Sequence, residues 1–285
     1  MFYVNPAFFP DRDQVIRSDE RFTISDVFLS TSRFFDSRFF ASKGMTMFHV
    51  KRVQKESELK KLYALRYQVY CLEKMFLDLR DYPSSLEHDQ YDASAIHLGA
   101  YGADDSIIGS LRLVRSTKMH FPIFEHCVVS DLPTDASSLE FAEISRLIIS
   151  KLRRADVRQP DTMAPAQIVN ERRDFTNFGI STLLMELFRV MFSYSKQRNI
   201  KYWLAAMEPS LMRLLQRYHF NFHPIGPMTD YYGQVIPCIA SLAEIEKHVA
   251  EKNIDFYHQF ARHLTDPSVS EMEETMWPPA GFSLS

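Results

Sequence analysis

The order of apolar and polar residues predicts alternating strands and helices from Thr46 onward. Residues 46–53 alternate as a half-buried strand does, and residues 180–198 carry an apolar stripe at helical spacing. An acidic pair opens a helix at 56–77, and Pro209 suits the first position of another helix. The remaining predicted elements are strands at 95–102, 107–116, 139–150 and 201–207, two strands flanking Gly226 and Gly233, and a helix at about 241–264.

This succession predicts an α/β fold, in which a central mixed sheet carries helices on both faces. Regular patterning covers residues 46–265, which we interpret as one domain. Residues 151–178 within that domain are charged, contain proline and lack periodicity, so they predict a long insertion. The acidic, proline-containing segment 266–285 predicts a disordered tail.

The first 45 residues form a separate, aromatic-rich arm. Ten of the 23 phenylalanines lie in the first 50 positions, and pairs such as Phe8-Phe9 and Phe34-Phe35 follow no sustained period. Two interpretations remain open. The arm either packs its rings on the main domain, or it forms a docking surface for another protein or a membrane.

Composition removes several classes of function. None of the eight glycines is spaced as in a G-x-G-x-x-G or P-loop motif, which excludes nucleotide sites built on such loops. A net charge of -3 gives no global attraction to nucleic acid, and no apolar run is long enough for a transmembrane helix. Cys71, Cys127 and Cys238 are odd in number and far apart, as in a reducing compartment without disulfides or a zinc site. With no secretory signal at the N-terminus, these features predict a cytoplasmic protein.

Four sparse motifs follow one another in a single order. They are R-x3-Y-x5-F at Arg66, Tyr70 and Phe76, D-x-x-D at Asp89 and Asp92, G-x-x-R-L at Arg112, and E-x-S-R at Glu143 and Arg146. This series resembles the signature of acyl-homoserine-lactone synthases, with Tyr70 and Phe76 in place of that family's Phe and Trp. Over residues 46–265, strings such as LRYQVYCLEKMF and YYGQVIPCIA more closely resemble the acyltransferases associated with the PEP-CTERM/exosortase system, relatives of the lactone synthases and of N-acyl amino acid synthases.

The resemblance implies a GNAT-like fold, a three-layer α-β-α sandwich whose central sheet splays between its fourth and fifth strands. It also implies transfer of a fatty acyl group from a carrier thioester to a small amine by direct aminolysis. Such a reaction needs a group that removes the amine proton, and the resemblance places Glu143 beside the thioester as the candidate general base, directly or through a water. Arg146 is the second catalytic candidate. The alternative is that Glu143 only pairs with Arg146, which on a strand would require a bulge or bend.

Freed backbone groups at the splay can bind the pantetheine arm of the donor as an added strand. The resemblance implies this role for the end of the strand at 139–150, namely Leu147, Ile148, Ile149 and Ser150. The candidate substrate-binding residues are Arg66, Tyr70, Phe76, Asp89, Asp92 and Arg112. With Glu143 and Arg146, their charges sum to zero. This set fits either an ion-pair network that holds a helix on the sheet, or a zwitterion site in which an Asp meets the substrate ammonium and an Arg its carboxylate.

Two neighbouring segments indicate which acyl donor is used and whether a metal site is present. Coenzyme A users of this fold bind the pyrophosphate with a glycine-rich loop at a helix N-terminus, whereas RRDFTNFGIS contains only Gly179. We therefore expect an acyl carrier protein as donor and partner rather than coenzyme A, and no permanently bound cofactor. Adjacent Glu87, His88 and Asp89 diverge too much to predict a metal site.

The predicted insertion carries an excess of positive charge that could dock an acidic carrier protein, or could simply be solvated. The candidate docking residues are Lys151, Arg153, Arg154, Arg158, Arg172 and Arg173. The sequence thus predicts an N-acyltransferase that acts on the amine of an amino acid or similar small molecule. Two alternatives stay open: a non-catalytic module that binds acyl groups or acylated carrier proteins, and a lactone synthase that uses S-adenosylmethionine.

Overall fold

One eight-stranded sheet organises the chain. The computed structural model describes residues 48–102, 104–150 and 166–261, without the side chains of 166–181, 255 and 259. The strands are β1 (Phe48–Val53), β2 (Ala95–Gly102), β3 (Ile107–Arg115), β4 (Phe141–Ile149), β5 (Tyr202–Met207), β6 (His223–Pro224), β7 (Thr229–Asp230) and β8 (Gln234–Ser241). The helices are α1 (Glu56–Tyr67), α2 (Pro122–His126), α3 (Ala166–Gln197), α4 (Pro209–Arg217), α5 (Leu242–Lys252) and α6 (Ile254–Ala261).

The strands follow the order β1-β2-β3-β4-β5-β8-β6, and β7 pairs with β8. Among the described residues, all strand pairs are antiparallel except β4 with β5. The long helix α3 buries Leu187, Phe188 and Met191 against one face of the sheet, where Leu98 and Leu111 point. Helix α1 covers the other face. The mixed sheet between helical layers confirms the predicted α/β architecture.

The sheet opens between β4 and β5. The two strands pair only from Phe141 with Tyr202 to Glu143 with Leu204, and beyond that point each continues separately to Ile149 and Met207. The predicted splay between the fourth and fifth strands is therefore confirmed. Glu143 lies at its apex.

A bulge interrupts β4 shortly after the apex. Ser110 of β3 pairs with Ile148 and Arg112 pairs with Ser145, so two residues of β4 lie opposite the single Leu111. Arg146, the first of those two, has φ of 50°, in the left-handed region that non-glycine residues rarely adopt. The bulge turns the Arg146 side chain toward the face that α1 covers.

Several predicted boundaries were wrong. Helix α3 begins at Ala166 rather than 180, so the second part of the predicted insertion is helical; extending a helix adds a hydrogen bond per residue, and Gly179 costs only about 1 kcal/mol. The predicted helix at 56–77 changes at Gln68 to a π-helical turn, Gln68–Glu73. The one at 241–264 is two helices, because the Asn253 side chain accepts a hydrogen bond from Phe256 N and starts a new helix.

Residues 223–241 form three strands rather than two, β6 to β8. The arm at 1–45, the segment 151–165 and the tail at 266–285 lie outside the described residues, so the domain boundaries stay predictions. No helix in the described ranges is long and apolar enough to cross a membrane.

Gly226 fixes the loop that leads to the β7–β8 hairpin. A Cβ atom at this position would lie 1.9 Å from the carbonyl oxygen of Val128 and 2.9 Å from Pro237 Cγ. The two chain segments are also joined by a hydrogen bond from Ser130 N to Ile225 O, 2.7 Å long. Only glycine permits this approach of the two backbones.

We expect Gly226→Ala to lower the free energy of unfolding by at least about 2 kcal/mol, because the backbone must move to admit the methyl group. Urea unfolding of the variant measures this loss. Gly102→Ala is the control, since its nearest neighbour is the flexible Asp104 side chain at 3.2 Å. Equal losses in the two variants would contradict the argument.

Candidate active site

Three arginines and three carboxylates form a closed ring between α1, the loop that follows it, and strands β3 and β4. Each arginine bridges two carboxylates, and each carboxylate bridges two arginines. In order around the ring, the ion pairs are Arg66–Glu87, Glu87–Arg146 (2.9 Å), Arg146–Asp89 (3.0 Å), Asp89–Arg112 (2.6 Å), Arg112–Asp92 (3.0 Å) and Asp92–Arg66 (2.7 Å). The ring is electrically neutral.

Local structure explains how these residues meet. Arg66 lies in the last turn of α1, Arg112 on β3 and Arg146 at the bulge of β4. The acidic residues come from one loop whose own hydrogen bonds define its shape: Asp89 N donates to Asp92 Oδ2 (2.7 Å), and Tyr91 N donates to Asp89 Oδ1 (2.9 Å). The ring therefore attaches helix and loop to the sheet.

Burial in the ring disfavours the charged form of each side chain, but the ion-pair partners favour it more strongly. It would raise the pKa of Glu87, yet Arg66 and Arg146 hold that pKa below its usual value. It would likewise raise the pKa of Asp92, which Arg66 and Arg112 keep far below the ordinary range. The carboxylates in turn raise the pKa of Arg66 and Arg146 against the effect of burial. These four side chains thus stay ionised near neutral pH.

Glu143 stands apart from the ring. Its side chain is buried, with 1% exposure, and Oε2 accepts a hydrogen bond from Ile123 N at 2.8 Å. Burial raises its pKa to about 8, although Ile123 N, Arg112 and Arg146 act in the opposite direction. The six-charge set from the sequence was therefore wrong in one member, since Glu87 and not Glu143 completes it. The bulge that a Glu143–Arg146 pair would need is present, yet Arg146 bonds to Glu87 and Asp89.

A cleft of about 320 Å³ opens beside the ring. Asp89 and Arg146 are the ring members that reach it. The full lining is Tyr82, Asp89, Gln90, Tyr91, Pro122, Glu125, His126, Arg146, Tyr231 and Tyr232. Glu143 does not line the cleft, but its hydrogen-bond partner Ile123 follows Pro122 of the wall.

Tyr70 and Phe76 of the first motif support the cleft from behind. The Arg146 guanidinium lies over the ring of Tyr70, at 5.4 Å from its centre, and over that of Tyr232, at 5.7 Å. Phe76 stacks on Tyr232 with ring centres 6.5 Å apart. Phe76 N also donates to Tyr70 O (2.8 Å), across the left-handed Met75 that ends the π-helical turn.

The predicted donor contacts lie at the end of β4. Ile148 pairs with Ser110 and is buried against Leu65 and Val69, and Ser150 N donates to Ile108 O at 2.8 Å. Leu147 and Ile149 are partly buried and pack instead against the main core, which contains Leu98 and Leu111. Of the predicted docking residues, Lys151, Arg153, Arg154 and Arg158 lie outside the described residues, and the side chains of Arg172 and Arg173 are not described.

Sequence reasoning missed Glu87 of the ring and eight residues of the cleft lining, namely Tyr82, Gln90, Tyr91, Pro122, Glu125, His126, Tyr231 and Tyr232. His126 stacks on Tyr231 with ring centres 4.1 Å apart, and Tyr91 donates its hydroxyl hydrogen to Glu125. The string YYGQ was a usable signal for the two tyrosines, because Gly233, with φ of 104°, marks the turn that presents them. Nothing local distinguished Glu87 from an exposed loop acid.

The described residues contain no group of three His, Cys, Asp or Glu side chains placed to hold a metal ion. The three loop acids of the ring each contact two arginines instead. The three cysteines are buried and free.

Residues 65–159 match the family profile described as the acetyltransferase (GNAT) domain. Among solved structures, the chain is similar to TofI, in a ternary complex with an inhibitor and MTA, at 16% identity and a TM-score of 0.50, covering 70% of this chain and 96% of TofI. It is equally similar to BjaI, a CoA-dependent acyl-homoserine lactone synthase solved with SAM and isopentyl-CoA, at 16% identity and a TM-score of 0.50, covering 78% and 91%. No curated protein sequence matches.

The chain is an acyltransferase with the GNAT-like fold. The predicted fold class and the predicted enzyme class are thereby confirmed. The solved structures share too little sequence with this chain to carry over a donor or an acceptor, so they establish its fold alone.

We expect Glu87→Gln to destabilise the protein by about 3–5 kcal/mol, because two buried arginines would then share too little negative charge. Urea unfolding at neutral pH gives the difference. Glu56→Gln serves as the control, since Glu56 is exposed and pairs only with Lys60 one turn away. Unchanged unfolding of Glu87→Gln would show that the ring does not hold the fold.

Glu143 should make stability fall as pH rises. Between about pH 4.5 and 8 the folded state keeps a proton on Glu143 that the unfolded state has released, and this costs about 1.4 kcal/mol per pH unit. Glu143→Gln removes this effect. Between about pH 5.5 and about pH 7.5, the free energy of unfolding of the variant should therefore rise by roughly 2–3 kcal/mol relative to that of the wild type. Urea unfolding at both values tests this. Parallel changes in the two proteins would mean that Glu143 is already ionised.

Proposed function

We propose that the protein transfers a fatty acyl group from an acyl carrier protein thioester to the amine of a small molecule, by direct aminolysis. One observation carries the proposal. Glu143 forms the last β4–β5 pair, so a carboxyl group with a pKa of about 8 lies where the sheet opens. In GNAT-like folds the thioester is expected at this opening. A carboxyl group of raised pKa there suits proton transfer near the operating pH.

The reaction requires three events at this place. The bound ammonium first releases one proton to solvent, and the neutral amine nitrogen attacks the thioester carbonyl, so that a C–N bond forms and the C–S bond breaks. Glu143 takes up the proton that the attacking amine loses, through a water because its side chain is buried, and returns it to the leaving thiolate. A backbone N–H at the end of β4 stabilises the oxygen that becomes negative. Leu147, Ile148, Ile149 and Ser150 remain the candidate donor contacts, although Ser150 N also bonds to Ile108 O.

Of the two earlier interpretations, the ring supports a scaffold with one edge that contacts the substrate. Arg66, Arg112 and Asp92 are buried, and their charges are matched within the ring. Asp89 is 25% exposed and lines the cleft, so we assign it the contact with the substrate ammonium. Arg146 then positions Asp89 and the cleft wall rather than reacting.

Several finer points belong to the same proposal. The preference for a carrier protein over coenzyme A rests on the single glycine ahead of residue 180, and on the basic residues of the predicted insertion. A cytoplasmic location is supported by three free, buried cysteines. The association with an exosortase system rests on the sequence resemblance.

Purified protein should be incubated with dodecanoyl carrier protein or dodecanoyl-CoA and a panel of amines, with thiol release and product mass as readouts. We expect an N-acylated product, formed faster from the carrier protein, at a rate that rises with pH to a plateau above about 8. Glu143→Gln should lower kcat by about 100-fold or more and remove this pH dependence.

Glu251→Gln, an exposed substitution on α5, is the matched control. A full rate in Glu143→Gln would overturn the assignment of the base. Binding of the acylated carrier without any product would favour the non-catalytic module, and lactone products made from S-adenosylmethionine would favour the synthase.

A further inference from the structure

The arginine of the cleft is already paired. Arg146 donates from Nε and Nη2 to Glu87, and from Nη2 to Asp89. Its side chain also hydrogen bonds with Tyr231, and aromatic rings cover it at Tyr70 and Tyr232. Among the residues that the structure describes, no other arginine and no lysine lines the cleft.

The other ring arginines cannot replace it. Arg66 and Arg112 have side chains that are 0% and 1% exposed, and each is bonded to two of the ring carboxylates. Arg66 would have to leave a buried carboxylate to meet a substrate anion, and an abandoned buried charge is costly. Arg112 Nη2 has no hydrogen-bond partner among the described residues, but it is buried, and Arg112 does not line the cleft. The described part of the site therefore offers no counter-ion for a carboxylate.

The cleft does offer negative charge. Asp89 is partly exposed on one side, and Glu125 is exposed on another. Glu125 uses Oε1 to accept hydrogen bonds from Tyr91 and from Gln90 (3.3 Å), which orient the carboxylate in the wall. An ammonium group is attracted by both acids, and a carboxylate is repelled by both.

Aromatic groups form much of the remaining surface. Tyr231 lies between His126 and Tyr232, with ring centres at 4.1 and 4.5 Å, and Tyr82 and Tyr91 complete the lining. Such faces pack against flat apolar groups and attract cations. The cleft thus combines a flat apolar surface with acids.

We propose that the acceptor is an amine without a free carboxylate, of the aryl-alkyl amine class or an amino acid whose carboxyl group is blocked as an amide or ester. This inference rests on the proposed function and narrows it, because free amino acids become poor acceptors. A substrate carboxylate would enter a cleft with two acids and no available cation.

The test compares acceptors that differ only at the carboxyl position. Tyramine, tyrosinamide and tyrosine are given to the wild-type protein with dodecanoyl carrier protein, and kcat and KM are measured for each. Pentylamine and norleucine form a matched aliphatic pair. We expect kcat/KM to be at least about tenfold higher for tyramine and tyrosinamide than for tyrosine, with the difference mainly in KM. Tyrosinamide has nearly the size of tyrosine but lacks its carboxylate, so it separates the effect of charge from the effect of size.

The outcomes distinguish the two proposals. A kcat/KM for tyrosine or norleucine equal to or above that of its uncharged counterpart overturns the inference and leaves the acyltransferase proposal intact. Absence of transfer to every amine overturns the proposed function instead. In that case, calorimetric titration of tyramine and tyrosine still tests the cleft, because tighter binding of tyrosine would contradict the charge argument.

Glu125→Gln tests the charge directly. It removes one acid from the wall and keeps the side-chain length, so the KM of tyramine should rise about threefold to tenfold while that of tyrosine stays or falls. Glu251→Gln should leave both values unchanged, since Glu251 lies on α5 away from the cleft lining. If the ratio of the KM of tyramine to that of tyrosine is the same in Glu125→Gln as in the wild type, Glu125 does not contribute to the choice of acceptor and the inference is overturned.

Discussion

A closed ring of ion pairs is the interaction on which the rest of the site depends. Isolated buried charges are very costly, and a buried pair is tolerated only when its remaining donors and acceptors are also satisfied. The ring largely meets this condition by sharing, since Arg66, Arg112 and Arg146 each contact two carboxylates and only Nη2 of Arg112 has no hydrogen-bond partner among the buried side-chain atoms of the ring. Sharing also joins α1, the acidic loop and two strands into one unit. The left-handed backbone at Arg146 is compatible with such a unit, because several partners fix its side chain.

The neutrality of the ring accounts for the protonation of Glu143. Arg112 and Arg146 are near enough to lower its pKa, but their charge is balanced by Asp89, Asp92 and Glu87. Burial therefore dominates, and the pKa rises to about 8. A base with this pKa is neutral at rest, avoids an unpaired buried charge, and can still accept a proton at mildly alkaline pH. The scaffold and the raised pKa of Glu143 thus follow from one charge balance.

The sequence predicted those parts of the structure that depend on local pattern. Strands β2 and β3 and the start of α4 at Pro209 follow from alternation and capping, whereas the splay after Glu143 was implied by the family resemblance. Glu87 was not predicted as a ring member, because its partners lie 21 and 59 residues away and no local period reports such contacts.

The ends of helices and the direction of side chains likewise depend on contacts that local pattern does not predict. Helix α3 extends beyond its apolar stripe because backbone hydrogen bonds, which no side-chain period records, continue it back to Ala166. The direction of the Arg146 side chain depends on a bulge that only the pairing of β3 with β4 defines. The aromatic wall depends on the stacking of His126 on Tyr231 of the β7–β8 hairpin. These two residues are 105 positions apart in the chain, so no local pattern predicts their contact.

Stability and recognition place opposite demands on the same charges. Arg66, which neutralises two buried carboxylates, cannot also bind a substrate anion without leaving one of them unpaired, so the buried part of the ring recognises little by itself. Asp89 and Arg146 are the ring members that reach the cleft, and the charge of Arg146 is already matched by Glu87 and Asp89. The motif that makes the fold rigid therefore leaves Asp89 as its most exposed charge.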